Sequence, residues 1–165
     1  LQWEKPKDTG KLKIAAFWDA NFGVGSARTG GVIKVFENTV AWISSKQSTI
    51  SQSTTEAELI VGSAVARAAV GLANLLQQIF REEDCDIHLL GDNQATISMV
   101  GGQSNVRKVR HLSLADLYLR ELVRSDSRVT ARWIEGEANV ADMLTKVLKG
   151  ALFEQHLANF GFSYN

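Results

Sequence analysis

Residues 11–45 read KLKIAAFWDANFGVGSARTGGVIKVFENTVAWISS, and residues 51–59 read SQSTTEAEL. The first stretch contains three runs rich in apolar and β-branched residues: Lys11 to Asp19, Thr29 to Phe36 and Val40 to Ser45. A turn at Gly23-x-Gly25 and a tight link at Glu37-Asn38 separate them, and runs bounded in this way read as strands. Connections this short make the three strands antiparallel neighbours, because a parallel pair needs a long crossover. The second stretch opens a helix that Ser53 or Thr54 can cap, with acids in the first turn facing the positive end of the dipole. The helix runs to about Phe80, and its small residues (Ala57, Gly62, Ala64, Ala66, Ala68, Ala69 and Gly71) suit close packing on a sheet.

Cys85 to Leu90 reads as a fourth strand. Since it follows a long helix, a right-handed crossover sets it parallel to a strand already present. Gln94 to Val100 is a short helix ended by Gly101-Gly102, and Leu112 to Arg124 is amphipathic. Arg128 to Ile134 is a fifth strand, Asn139 to Leu148 another short helix and Ala151 to Phe160 a terminal one. The expected fold is α/β: one mixed five-stranded sheet, three antiparallel strands and then two parallel, flanked by helices. Residues 1–10 read as a linker from an upstream domain, and 11–165 as one domain.

The chain has 165 residues, 45% apolar and 22% charged, which fits one globular domain with a full core. A single cysteine, Cys85, excludes an internal disulfide and a cysteine-rich metal site. An intracellular setting is expected on that ground. Leu59 to Leu76 is interrupted by Ser63, Arg67 and Asn74, a poor membrane span. No signal peptide is expected from the polar N-terminus, and a start at Leu1 suggests excision from something longer. Net charge is zero, unlike most phosphate binders. Two local basic clusters, Lys11 with Lys13 and Arg107, Lys108 and Arg110 with His111, soften this, though such groups are commonly solvated surface.

Four acids stand out by position. Asp19 and Asp92 each close an apolar run, while Glu58 and Asp142 each lie in the first turn of a helical segment. If the strands ending in Asp19 and Asp92 are parallel and adjacent, their carboxylates meet at the C-terminal edge, where ligands bind in such sheets. Gathered acids repel and call for hard cations such as Mg²⁺. Two such ions about 3.5–4 Å apart can clamp a phosphodiester for in-line attack by water. The acids therefore point to a metal-dependent nuclease. From Glu58, helical steps reach Val61, Gly62, Val65 and Ala66, the sheet-facing stripe; from Glu56 they reach Ser63, Arg67 and Asn74, read as a solvent face. Glu58 is therefore preferred over Glu56. Each acid also has a plain structural explanation: dipole stabilisation for Glu58 and Asp142, with Asn139 as N-cap of the latter, helix capping for Asp92 with Asn93, and a turn for Asp19. His88, His111 and His156 lack zinc-ligand spacing, and no G-x-S-x-G or phosphate-loop motif occurs. Trp18, Trp42 and Trp133 lie in strands and read as packing residues.

Several motifs resemble one family in order. They are Ala41-Trp42-Ile43-Ser44-Ser45-Lys46-Gln47, Ser53-Thr54-Thr55-Glu56-Ala57-Glu58-Leu59, Gly91-Asp92-Asn93-Gln94-Ala95, Arg110-His111-Leu112 and Ala141-Asp142-Met143-Leu144-Thr145-Lys146, with the tail Leu152-Phe153-Glu154 to Gly161-Phe162. The chain resembles the ribonuclease H domain that follows the reverse transcriptase in Ty1/copia-type retrotransposon polyproteins. The resemblance implies a ribonuclease H fold and two-metal hydrolysis of the RNA strand of RNA/DNA hybrids, leaving 5′-phosphates, with Mg²⁺ as cofactor and Mn²⁺ able to substitute. It implies Asp19, Glu58, Asp92 and Asp142 as catalytic metal ligands. It also implies Ser53, Thr54, Asn93, Gln94, Arg110 and His111 as hybrid-contacting residues, and a polymerase domain of the same polyprotein as partner. The setting would be a cytoplasmic particle or the nucleus, with no membrane role.

The sequence departs from the family in three places. Asn21 stands where a second acid is usual, Ser113 replaces another, and the loop Ile134-Glu135-Gly136-Glu137 lacks a histidine, so that slow turnover or a substitute role for Glu135 or Glu137 is expected. The alternative function is a catalytically weak hybrid-binding module that positions substrate for an attached polymerase. A DNA-cutting relative fits less well.

Overall fold

The computed structural model describes residues 11–21, 27–46, 51, 53–81, 84–102 and 114–162. The strands are β1 (Leu12–Asn21), β2 (Arg28–Val35), β3 (Asn38–Lys46), β4 (Cys85–Gly91) and β5 (Val129–Trp133). The helices are α1 (Thr54–Phe80), α2 (Gln94–Val100), α3 (Leu114–Ser125) and α4 (Ala151–Phe160). One five-stranded sheet has the order β3-β2-β1-β4-β5. β1, β2 and β3 form the antiparallel meander; β4 joins β1 and β5 joins β4, both in parallel. This is the mixed sheet expected from the sequence, and β1 lies at its centre because α1 carries the chain back across the meander.

Alternation along β1 divides the core. Leu12, Ile14, Ala16, Trp18 and Ala20 are buried with Leu59, Val61, Val65, Ala69 and Ala73 of α1 and with Ile87 and Leu89 of β4. Full burial of each large side chain stabilises the fold by about 1.5–3 kcal/mol. By length and composition α1 is apolar enough to cross a membrane, but this stripe is sheet-facing core. A smaller cluster, Val32, Val140, Ala141 and Phe160 with Phe17, Met143 and Leu144, covers the other face. There Lys34 on β2 donates from Nζ to the Asn159 carbonyl at 2.7 Å and holds the end of α4.

Several expectations need correction. Asp19 does not end its strand: pairing with β2 continues through Ala20–Thr29 and Asn21–Arg28. The ladder to β4 stops at Phe17–Leu90, so Asp19 lies beyond the parallel pairing while still held by the hairpin. It is buried. The segment from Asn139 to Leu148 is not an α-helix; it forms a 3₁₀ turn at Val140–Leu144, preceded by another at Gly136–Ala138. Ser63 is buried, because α3 lies over that flank of α1, with Leu119 against Gly62 and Arg67 over the Tyr118 ring. Among the described tryptophans Trp18 alone is core; Trp42 on the edge strand packs edge-on against Phe160 but is 62% exposed, and Trp133 is 43% exposed. The linker 1–10, the glycine turn 23–25 and the basic group at 107–111 lie outside the described residues.

Candidate metal centre

β1, α1 and β4 bring three acids together. Asp19 comes from β1 just beyond its last pair with β4, Glu58 from the first turns of α1, and Asp92 directly follows β4. One carboxylate oxygen from each lies within 4.8 Å of the others. They line an open cleft of about 390 Å³ with Ala20, Asn21, Thr54, Asn93 and Lys146.

Each acid is aimed by its neighbours. Ser53 caps α1 by accepting from the Glu56 N–H at 3.1 Å, which sets the helical phase. That phase buries Glu58 and leaves Glu56 partly exposed. Glu58 Oε1 accepts from the Ala20 N–H at 3.2 Å, whereas buried Oε2 has no hydrogen-bond partner. On the α2 side Asn93, not Asp92, is the cap: its Oδ1 accepts from the Thr96 N–H at 3.1 Å. The Asp92 carboxylate is therefore not used for capping, and its carbonyl accepts from Trp133 Nε1 at 2.9 Å. Gly91 precedes it without a side chain because a Cβ there would stand 2.8 Å from the Trp18 ring.

Asp142 stands outside this group and is carried by the turn at Val140–Leu144. Asn139 anchors its turn, donating from Nδ2 to the Trp18 carbonyl at 2.9 Å and accepting from the Ala141 N–H at 3.2 Å. A reciprocal capping box is not formed, since the Asn139 N–H goes to the Gly136 carbonyl. The turn then presents Thr145, whose hydroxyl donates to Asp19 Oδ2, and Lys146, whose Nζ lies 3.4 Å from Asp19 Oδ1 and 3.0 Å from Asp142 Oδ2. Asp142 Oδ1 is buried without a partner. Three of the four acids therefore form one group, and the fourth reaches Asp19 across an ammonium. Thr145 and Lys146 were not singled out from the sequence. The available signal was their spacing, three and four residues after Asp142 in a turn-forming segment.

Burial chiefly, and then the Asp19 carboxylate, push Glu58 up to about 8 against a pull from the Ala20 N–H. The same two causes raise Asp142 to about 6, opposed by Lys146. Such shifts mark carboxylates whose charge the protein alone leaves under-compensated. An all-oxygen donor set with orphaned buried oxygens fits a hard divalent cation, and Mg²⁺ and Ca²⁺ are the cations that oxygen sites take. Histidine and cysteine take no part among the described residues.

Of the expected substrate contacts, Thr54 and Asn93 line the cleft. Ser53 is occupied as a cap, and Gln94 begins α2 at the surface. Arg110 and His111 lie outside the described residues. Glu135 and Glu137 are exposed and flank Gly136, where an added Cβ would stand 3.5 Å from Asp92 Oδ2. Asn21, at the position of the usual second acid, donates from Nδ2 to the Thr145 carbonyl at 3.3 Å.

One glycine makes the arrangement possible. Gly30 pairs with Asp19, and a Cβ there would meet Thr145 Cγ2 at 2.6 Å and the Ala141 carbonyl at 2.8 Å. Gly30→Ala is expected to displace the Asp142 turn and to destabilise the fold by about 1–3 kcal/mol, as overpacking does. Urea unfolding checks this, and an unchanged midpoint would show that the turn yields freely.

No protein-family model matches the sequence. The fold has clear counterparts among solved structures. The N-terminal ribonuclease H domain of Rv2228c from Mycobacterium tuberculosis is similar at 20% identity and a TM-score of 0.61, covering 82% of this chain and 91% of that one. LC11-RNase H1, isolated from compost by a metagenomic approach, is similar at 19% identity and a TM-score of 0.59, over 83% and 94%. The same enzyme in complex with an RNA/DNA hybrid is similar at 19% identity and a TM-score of 0.54, over 82% and 94%. The architecture is the ribonuclease H-like fold.

Proposed function

We propose that this chain is an endonuclease that hydrolyses the RNA strand of RNA/DNA hybrids, the ribonuclease H module of a Ty1/copia-type retrotransposon reverse transcriptase. The observation that carries the reading is the meeting of Asp19, Glu58 and Asp92 at one end of the central strands, with an orphaned Glu58 oxygen in an open cleft. The fold likeness supports it, and so does the neighbour solved with a hybrid. The retrotransposon assignment rests on the ordered motifs around Trp42, Glu58, Asp92 and Asp142.

Asp19, Glu58 and Asp92 would hold one Mg²⁺, and Asp19 with Asp142 a second; Mn²⁺ is expected to substitute. When bound, such ions make water a stronger nucleophile and offset charge on the leaving 3′ oxygen, so the product carries a 5′-phosphate. The chain itself supplies orientation. The Ala20 N–H fixes Glu58, the Thr145 hydroxyl fixes Asp19, and the Trp133 indole with the Asn93 cap fixes the backbone on which Asp92 sits. Thr54 and Asn93 stand at the cleft where a nucleic-acid backbone would pass; Ser53, Gln94, Arg110 and His111 are proposed as further hybrid contacts. Contacts to ribose 2′-hydroxyls would select the RNA strand. With zero net charge the domain gains little from counterion release, and a polymerase domain of the same polyprotein is proposed to hold the hybrid.

The test is incubation of the chain with a labelled RNA/DNA hybrid in Mg²⁺ and in Mn²⁺, with single-stranded RNA and duplex DNA as controls. Cleavage of RNA in the hybrid alone is expected. Hybrid binding without cleavage in either ion would instead make the chain a positioning module for the polymerase.

A further inference from the structure

The cation already inside the acidic cleft belongs to the protein. Lys146 places its ammonium between Asp19 Oδ1 at 3.4 Å and Asp142 Oδ2 at 3.0 Å, and Asp19 is also a member of the three-acid group. Its side chain is 40% exposed, while those of Asp19 and Asp142 are 3% and 12% exposed. The ammonium therefore reaches inward from a partly exposed stem that has open cleft beside it. Thr145, one residue earlier, holds the other Asp19 oxygen. Both Asp19 oxygens are thus engaged by this one turn.

We propose that Lys146 is a positioning residue that serves as a resident counter-ion for the Asp19–Asp142 pair and must swing out of the cleft before a divalent cation can share those two carboxylates. The inference rests on the metal-dependent reading of the site. It makes the two ion positions unequal. The Asp19–Glu58–Asp92 group keeps an unpartnered Glu58 oxygen for a cation, whereas the Asp19–Asp142 position is entered only by displacing a charge already there. Lysine suits this use: its ammonium is a compact charge on a flexible four-carbon stem, able to leave as one unit. Without it Asp19 and Asp142 would face each other with no cation between them, so the same residue steadies the metal-free fold.

The test compares wild type with Lys146→Met, Lys146→Gln and Lys146→Arg in calorimetric titrations with Mg²⁺, and in melting experiments with and without it, all in the absence of nucleic acid. Met keeps the stem, and Gln provides a second neutral variant should Met fold poorly. The expected result for both neutral variants is a weaker binding step tightened by about tenfold or more, since a charge at this range no longer competes. The stronger step should tighten less, because of its three carboxylates only Asp19 lies within ion-pair distance of the ammonium. The metal-free melting temperature should fall, the gain on adding Mg²⁺ should grow, and Lys146→Arg should restore wild-type behaviour. Neutral variants with an unchanged or loosened weaker step, or with both steps shifted alike, would overturn the inference. A wild-type chain that binds no divalent ion would overturn the metal-dependent reading and this inference with it, an outcome distinct from two intact binding steps that ignore Lys146.

Discussion

Asp92→Asn is expected to lower hybrid cleavage by about 10³-fold or more, because a lost ligand forfeits several kcal/mol of charge stabilisation in the transition state. Folding and hybrid binding should survive. Asn93 caps α2, and the interaction with Trp133 uses the Asp92 backbone carbonyl, so the carboxylate carries neither contact. The amide keeps its size. Asp92 is also one of the charges that raise Glu58, and removing it relieves repulsion in the metal-free protein. The metal-free melting temperature should therefore rise as activity disappears, a pairing that a general folding defect cannot produce. Single-turnover cleavage, hybrid anisotropy and thermal melting read the three quantities. A variant that cuts at the wild-type rate would remove Asp92 from the metal site. Glu56→Gln is the matched control, two residues before Glu58 and outside the residues lining the cleft; it should stay within about twofold of wild type, the scale of surface changes.

The contrast between Glu56 and Glu58 shows how the sequence exposes its fold. Helical phase alone separates the two, because α1 packs a stripe of small residues on the sheet, and the position that continues the stripe points at β1. Strand order was legible for a similar reason: short links fix the meander, and a 27-residue helix fixes the parallel return. Local pattern could not give the end of β1. Where a strand stops depends on two neighbours, and here β2 runs on past the last β4 pair. Nor could it give the conformation around Asp142, because a capped apolar run of five residues suits a 3₁₀ turn as well as the start of an α-helix. The exposure of Trp42 and Trp133 depends on which strands become sheet edges, and both belong to edge strands. Lys146 was hidden for the deepest reason. Its meaning comes from a contact 127 residues away in sequence, made possible by the missing side chain at Gly30.

The metal-free protein is expected to lose stability steadily as pH rises from about 4.5 to about 8, and Mg²⁺ is expected to abolish most of that loss. The sign follows from Glu58. Its folded pKa of about 8 lies above the ordinary 4.5, so between those values the native state keeps a proton that the unfolded chain releases. A group shifted in this direction stabilises fully below its ordinary pKa, and the contribution disappears as pH climbs through the folded one. Asp142 adds a lower limb ending near 6. For a side chain as buried as Glu58 the effect is on the order of a few kcal/mol across the window. A divalent cation reverses the preference, because it binds the deprotonated carboxylate and expels the proton. Glu58→Gln should flatten the metal-free profile between pH 6 and about 8, leave the Asp142 limb in place, and abolish cleavage at every pH. Melting temperature against pH, in chelator and in excess Mg²⁺, reads these differences directly. Parallel wild-type and Glu58→Gln profiles in chelator would mean that Glu58 stays ionised in the metal-free cleft. The cleft would then compensate its acids without divalent metal, and their gathering would need another cause.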